Sequence, residues 1–205
     1  EMNELAPLMA ALAELVIEFG ARYEEKKRAK GLLDFGDLEH YCLRILRDGA
    51  SSPGKLIPSV AAKEYQRQFE EILLDEYQDT NMVQEAIVSL IERRSGGGNR
   101  FMVGDVKQSI YRFRLAEPNL FLQKYKSYRS RTEPSALPGG EAGVRIDLAR
   151  NFRSRSEVVD GVNRVFRAIM REKVAELDYD SRAELVYGAS YPPPAQPGSC
   201  DIQFA

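Results

Sequence analysis

Histidine is nearly absent from this chain, tryptophan is missing altogether, and only two cysteines occur in 205 residues. Each scarcity closes off a class of chemistry. Cys42 and Cys200 are too few for a disulfide framework and too far apart for a metal-ligand spacing, so a reducing, cytoplasmic setting is expected. His40, the single histidine, falls on an expected helix among Tyr41, Cys42 and Leu43, where a structural role is commoner than a catalytic one. Neither charge is in real surplus, with 29 lysines and arginines against 31 acidic residues, so any nucleic-acid contact must come from a local patch. The nearest thing to a targeting segment, Leu8 to Phe19, lacks a basic flank and is interrupted by Glu14 and Glu18; no membrane partner is expected. The chain also holds no Gly-x-x-x-x-Gly-Lys-Ser/Thr string. Gly96-Gly97-Gly98 is followed by Asn99 and Arg100, which cannot replace a phosphate-holding lysine.

What is present is a chain with 43% hydrophobic residues, enough for a real core, in a pattern that alternates helix and strand. Leu5, Leu8, Met9, Leu12, Leu15, Val16, Phe19 and Tyr23 recur at three- and four-residue steps, predicting an amphipathic helix that ends in the charged run Glu24 to Lys30, before Gly31. Further helices are expected over Phe35 to Arg47 and Ala61 to Phe69. Two strand-then-helix units follow: Glu71 to Leu74 with Asn81 to Arg93, and Arg100 to Val103 with Pro118 to Arg129. That order argues for a parallel sheet flanked by helices, with ligands beyond the carboxyl ends of the strands, where Asp75 and Asp105 fall. Residues 130 to 143, rich in proline and glycine, carry linker chemistry. A strand over Val144 to Leu148, a helix over Ser156 to Met170, an extended tail from Tyr191 to Gly198 and a last strand over Asp201 to Phe204 are expected after it.

The strongest chemical signal is Leu73-Leu74-Asp75-Glu76-Tyr77-Gln78-Asp79-Thr80. One carboxylate of such a pair can hold hydrated Mg²⁺, and its neighbour can orient a water toward a phosphoryl group. Alone, an Asp-Glu pair is usually a solvated strand end. The complete string stands with Gly104-Asp105-Val106-Lys107-Gln108-Ser109-Ile110-Tyr111-Arg112-Phe113-Arg114 and Leu148-Ala149-Arg150-Asn151-Phe152-Arg153-Ser154, in this order. Together the three resemble motifs II, III and IV of the UvrD-like superfamily I DNA helicases, and Asp34-Phe35-Gly36-Asp37-Leu38 resembles the element preceding motif II. Within that family, Ser109 to Arg114 and the stretch Tyr179 to Tyr191 look most similar to the AddA branch, the helicase and nuclease subunits of bacterial double-strand-break repair complexes.

The resemblance implies an α/β fold: a partial RecA-like parallel sheet with flanking helices, of the P-loop NTPase type but lacking the P-loop, plus the start of a second motor domain. Residues 1–30 would end an inserted helical subdomain, 31–130 would be the rear half of the first motor domain, 131–143 a linker, and 144–205 the opening of the second. ATP and Mg²⁺ are the implied cofactors. Asp75 would organise the metal, Glu76 would position the attacking water, Gln108 would sense the γ-phosphate, and Arg153 would act as an arginine finger. Phe152 and Gln78 would contact the nucleotide. Single- and double-stranded DNA and a second helicase/nuclease subunit of the AddB type are the implied partners.

The residues themselves suggest a DNA-facing loop, because Tyr111 and Phe113 interleave with Arg112 and Arg114, the pairing of stacking faces and phosphate-binding cations that single-strand tracks use. Taken alone, the run reads more readily as an amphipathic edge strand with aromatics inside and arginines in solvent; beside Gln108 it reads as a loop that touches both phosphate and DNA. Lys124, Lys126, Arg129 and Arg131, and Arg164, Arg167 and Arg171, read as solvated helix faces. With its first residue a glutamate and no phosphate loop, the chain is expected to be part of a longer polypeptide and inactive alone. Two other classes stay open: a non-catalytic single-strand-binding module, and a metal-dependent phosphatase or nuclease using Asp75, Glu76, Asp79 and Asp105.

Overall fold

The computed structural model describes residues 2–94, 98–130, 143–171 and 178–192. They form two compact units: residues 1–74 with 80–102, and residues 75–79 with 103–205.

In the first unit, α1 (Met2–Lys30) ends where Gly31 takes φ 63°, with Gly31 N–H donating to the Arg28 carbonyl and Leu32 N–H to that of Lys27. These bonds satisfy orphaned carbonyls at a helix end, and glycine alone enters that conformation without steric cost. The amphipathic stripe predicted for α1 is present but uncovered, with Leu8, Leu12, Leu15 and Phe19 all exposed. Just beyond it, α2 (Phe35–Leu46) begins with Asp34 and Asp37 each accepting from the other's backbone N–H. Lys27 Nζ sits between the two carboxylates, 2.9 Å from Asp34 Oδ2 and 2.6 Å from Asp37 Oδ1. Its hydrogen bonds, with the Asp37 bond the largest effect, hold both carboxyls below and the lysine above their ordinary values.

The Asp-Phe-Gly-Asp-Leu string is therefore, locally, a helix start. Next, α3 (Val60–Gln68) is capped by Ser59, and α4 (Met82–Ile91) by an Asn81–Gln84 capping box. Leu46, Ala62 and Leu90 bring α2, α3 and α4 into one core, against which Cys42 packs as a small hydrophobe.

Strands β1 (Ile72–Leu74) and β2 (Arg100–Met102) pair in parallel with Ile72 opposite Arg100 and Leu74 opposite Met102. Asn99 fixes the start of β2: its side chain accepts from Arg93 N–H and donates to the Phe69 carbonyl, while its own carbonyl accepts from Ile72 N–H. Arg100 is held by Glu85 and Glu92. Leu73 and Phe101, in register, are both exposed, so one face of this pair is bare.

The second unit contains α5 (Pro118–Ser127), the parallel pairs β3 (Arg129–Ser130) with β4 (Val144–Arg145) and β5 (Arg150–Asn151) with β6 (Val186–Tyr187), and α6 (Ser156–Ile169). Among the described residues there are thus small two-stranded parallel sheets and six α-helices rather than one continuous sheet. The strand expected over Val144 to Leu148 is two residues long, and β5 and β6 were not foreseen. Asn163 secures α6 to the chain entering β6, donating to the Leu185 carbonyl and accepting from Leu185 N–H and the Tyr179 hydroxyl. Most of the expected linker (131–142), the Ser95–Gly97 part of the glycine turn and the last expected strand lie outside the described residues. No helix among the described residues is long and apolar enough to cross a membrane.

Candidate active site

The chain leaving β1 turns sharply at once. Glu76 adopts φ 49°, the left-handed region that costs an L-residue about 1–2 kcal/mol, and its N–H donates to Asp75 Oδ1 at 2.9 Å. A 3-10 turn, Tyr77–Asp79, follows, anchored by Tyr77 N–H donating to the Val103 carbonyl and by the Tyr77 ring packed beside Phe121 of α5. Lys124 does not simply face solvent: its ammonium lies 5.5 Å from the centre of the same ring.

This turn buries Gln78, which is 1% exposed. Its Nε2 donates to Glu76 Oε2 at 2.7 Å, and its Oε1 accepts from Asp105 N–H at 3.0 Å. Both ends of the amide are taken within the protein, so Gln78 bridges the acidic turn and the loop that follows β2. The bridge needs the glycine at 104, where a Cβ would stand 2.6 Å from Gln78 Oε1 and 3.1 Å from Phe121. Asp105 extends the connection, with Oδ1 accepting from Lys107 N–H and Nζ and Oδ2 accepting from Gln108 Nε2 at 3.1 Å. Glu76, Gln78, Asp105 and Gln108 therefore form one hydrogen-bonded line.

Beside this line, Asp79 Oδ1 is buried without a partner, and burial, followed by the negative charge of Glu76, pushes its carboxyl above the ordinary value. Asp75 is exposed and offers a hard carboxylate oxygen of the kind that holds hydrated Mg²⁺. The four carboxylates Asp75, Glu76, Asp79 and Asp105 do not converge: among the described residues no three acidic, histidine or cysteine side chains are grouped to hold an ion.

Downstream in the same loop, after a 3-10 turn at Val106–Gln108, Arg112–Arg114 forms another, not an edge strand. Tyr111 and Phe113 tilt against each other with ring centres 5.9 Å apart, and the Arg114 guanidinium lies 5.4 Å and 5.5 Å from the two rings. Expected alternation of aromatics and arginines on opposite sides is thus replaced by one guanidinium, that of Arg114, lying over two aromatic faces. Ile110, Phe113 and Leu115 are all strongly exposed beside it.

Phe152 and Arg153 follow β5. Asn151 Oδ1 accepts from the N–H groups of Arg153 and Ser154, and the Arg153 carbonyl accepts from the Tyr191 hydroxyl at 2.6 Å. Phe152 is 65% exposed and rests over Gly188, where a Cβ would meet its ring at 2.9 Å. Among the described residues, no hydrogen bond or ion pair joins Arg153 to the Glu76–Gln108 line. Sequence reasoning placed Gly104 and Tyr191 in the strings that carry the resemblance but gave neither a role of its own. A glycine immediately after a strand and before an aspartate was the available signal for Gly104; nothing local marked Tyr191.

Comparison with known proteins bears on the same segments. Residues 3–129 match the UvrD/REP helicase N-terminal domain. The chain is 56% identical over 193 residues to the A-type subunit of the ATP-dependent helicase/nuclease from Bacillus pumilus (strain SAFR-032), a match that covers 93% of this chain and 15% of that protein. Identity is 56% over 192 residues to the protein of the same name from Geobacillus thermodenitrificans (strain NG80-2), again 93% and 15%. It is 51% over 206 residues to that of Heliobacterium modesticaldum (strain ATCC 51547 / Ice1), covering 94% of this chain and 14% of the relative. The chain spans about 15% of the length of the first two relatives. With the acidic turn, the glutamine-bearing loop and this match over more than half its length, the chain belongs to the UvrD/REP helicase family.

Proposed function

We propose that this chain serves, within a longer polypeptide of the AddA-type helicase/nuclease kind, as the part of an ATP-driven DNA motor where hydrolysis meets the DNA track. The supporting observation is that one loop, 104–116, is hydrogen-bonded at its start to the acidic turn and carries the exposed Tyr111–Arg114 cluster farther on. In this reading Asp75 holds Mg²⁺, which supplies charge neutralisation on the triphosphate. Glu76 accepts a hydrogen bond from the attacking water and orients it, and the Gln108 amide contacts the terminal phosphate. Arg153 approaches that phosphate from the second motor domain beyond the 131–143 linker, and Phe152 stacks on the base. Tyr111 and Phe113 stack on unpaired bases while Arg112 and Arg114 meet phosphates, each stacked base contributing about 1–3 kcal/mol.

The proposed setting is cytoplasmic double-strand-break repair and recombination, with a second subunit of the AddB type. Because the phosphate cradle is not among these 205 residues, the isolated chain is expected to release no phosphate from ATP and to unwind no duplex.

The test is phosphate release by the full natural polypeptide, with and without single-stranded DNA, comparing wild type with Glu76→Gln. Stimulation by DNA in wild type, lowered at least about 100-fold in the variant, is the expected result. Wild type that binds single strands but shows no stimulation would instead identify a non-catalytic binding module.

A further inference from the structure

We propose that Gln78 is a positioning residue that aims Glu76 and couples it to the DNA-facing loop, its buried amide holding the carboxylate at one end and the Asp105 backbone at the other. This deepens the preceding section and rests on its reading of Glu76 as the water-orienting group.

The argument begins with freedom. Glu76 is exposed and long, so its carboxylate has many rotamers open to it, and a buried donor that is itself immobile selects one of them. Gln78 has that immobility, at 1% exposure on a turn pinned by Tyr77. A primary amide also donates at one corner and accepts at the other, which is how this one is used. The loop backbone is pressed against it, since even a Cβ at Gly104 would overlap Gln78 Oε1. Movement of that backbone therefore cannot leave the amide where it is. From Asp105 the line ends at Gln108, and the same stretch of chain leads on to Tyr111 and Arg114. A base stacking on the aromatic rings thus has a short mechanical route to Glu76.

The experiment uses the full natural polypeptide and measures kcat and KM for ATP with saturating single-stranded DNA, single-strand affinity and thermal unfolding. Variants are Gln78→Met, which keeps the length and removes both bonds, Gln78→Glu, which keeps the acceptor for Asp105 N–H and removes the donor, and Glu76→Gln. Both Gln78 variants are expected to lower DNA-stimulated kcat on the order of 10- to 100-fold, with KM and single-strand affinity within about threefold of wild type. In the Glu76→Gln background, adding Gln78→Met is expected to change the residual rate no further.

Unchanged kcat in Gln78→Glu, alongside loss of activity in Glu76→Gln, would overturn the coupling role and leave the function standing. KM, DNA affinity and melting temperature all shifting together with kcat in both Gln78 variants would overturn it too, by revealing an ordinary core residue. Stimulated hydrolysis that survives Glu76→Gln would remove the reading of Glu76 itself.

Discussion

Gly104 has no unusual backbone angle to explain it; its constraint is space. A methyl there would come within 2.6 Å of Gln78 Oε1 and 3.2 Å of the Gln78 backbone nitrogen, and the latter cannot swing aside. Gly104→Ala is therefore expected to destabilise the second unit by about 1–3 kcal/mol and to lower DNA-stimulated hydrolysis in the full polypeptide, measured by thermal unfolding and phosphate release. Unchanged unfolding in that variant would show that the turn and loop separate easily. Glu76 carries the opposite kind of cost, a left-handed backbone held by the bond from its N–H to Asp75 and by the anchored turn that follows. Asp75, Glu76 and Gln108 stood out in the sequence as candidates because the strings around them are distinctive. The place of Gln78 did not, since a three-residue 3-10 turn has no periodicity from which burial could be read.

Helices were the easiest elements to read, and their ends show why. Ser59 and Asn81 are N-caps of the expected chemical kind, and Gly31 stops α1 at the residue that the sequence marks as its end. Strands were harder. β1 and β2 were foreseen as apolar runs, whereas β5 and β6, at two residues each, hold too few side chains to alternate and are defined by pairing across some 35 intervening positions. Among these elements α4 offers a clean test, because Asn81 both accepts from Gln84 N–H and reaches Glu39 of α2 with its amide. Asn81→Ala is expected to cost about 1 kcal/mol or somewhat more, and to speed amide exchange in the first turn of α4 while that of α6 stays as it was. Equal loss of protection in both helices would mean that Asn81 supports more than its own helix.

Across the whole molecule, uncovered apolar surface is the dominant feature: the stripe of α1, the Leu73–Phe101 face, and the Ile110–Leu115 corner. The first was legible as the apolar stripe of an amphipathic helix, and the second arises because β1 and β2 form a two-stranded pair with one side bare. Charge is distributed differently, mostly in local pairs, and one of these joins Lys27 to both Asp34 and Asp37. That pairing has a consequence for covalent chemistry. An amine attacks an acylating reagent only through its neutral form, and Lys27 is both shielded, at 15% side-chain exposure, and held in the protonated form. In a brief treatment with an N-hydroxysuccinimide ester at neutral pH, followed by peptide mass mapping, exposed Lys26 and Lys30 should acquire the label while Lys27 between them stays unmodified. Three lysines within one helical turn and a half would then give an acylation footprint of reactive, silent and reactive sites, a chemical signature of the α1–α2 corner that can be read in any longer polypeptide containing it.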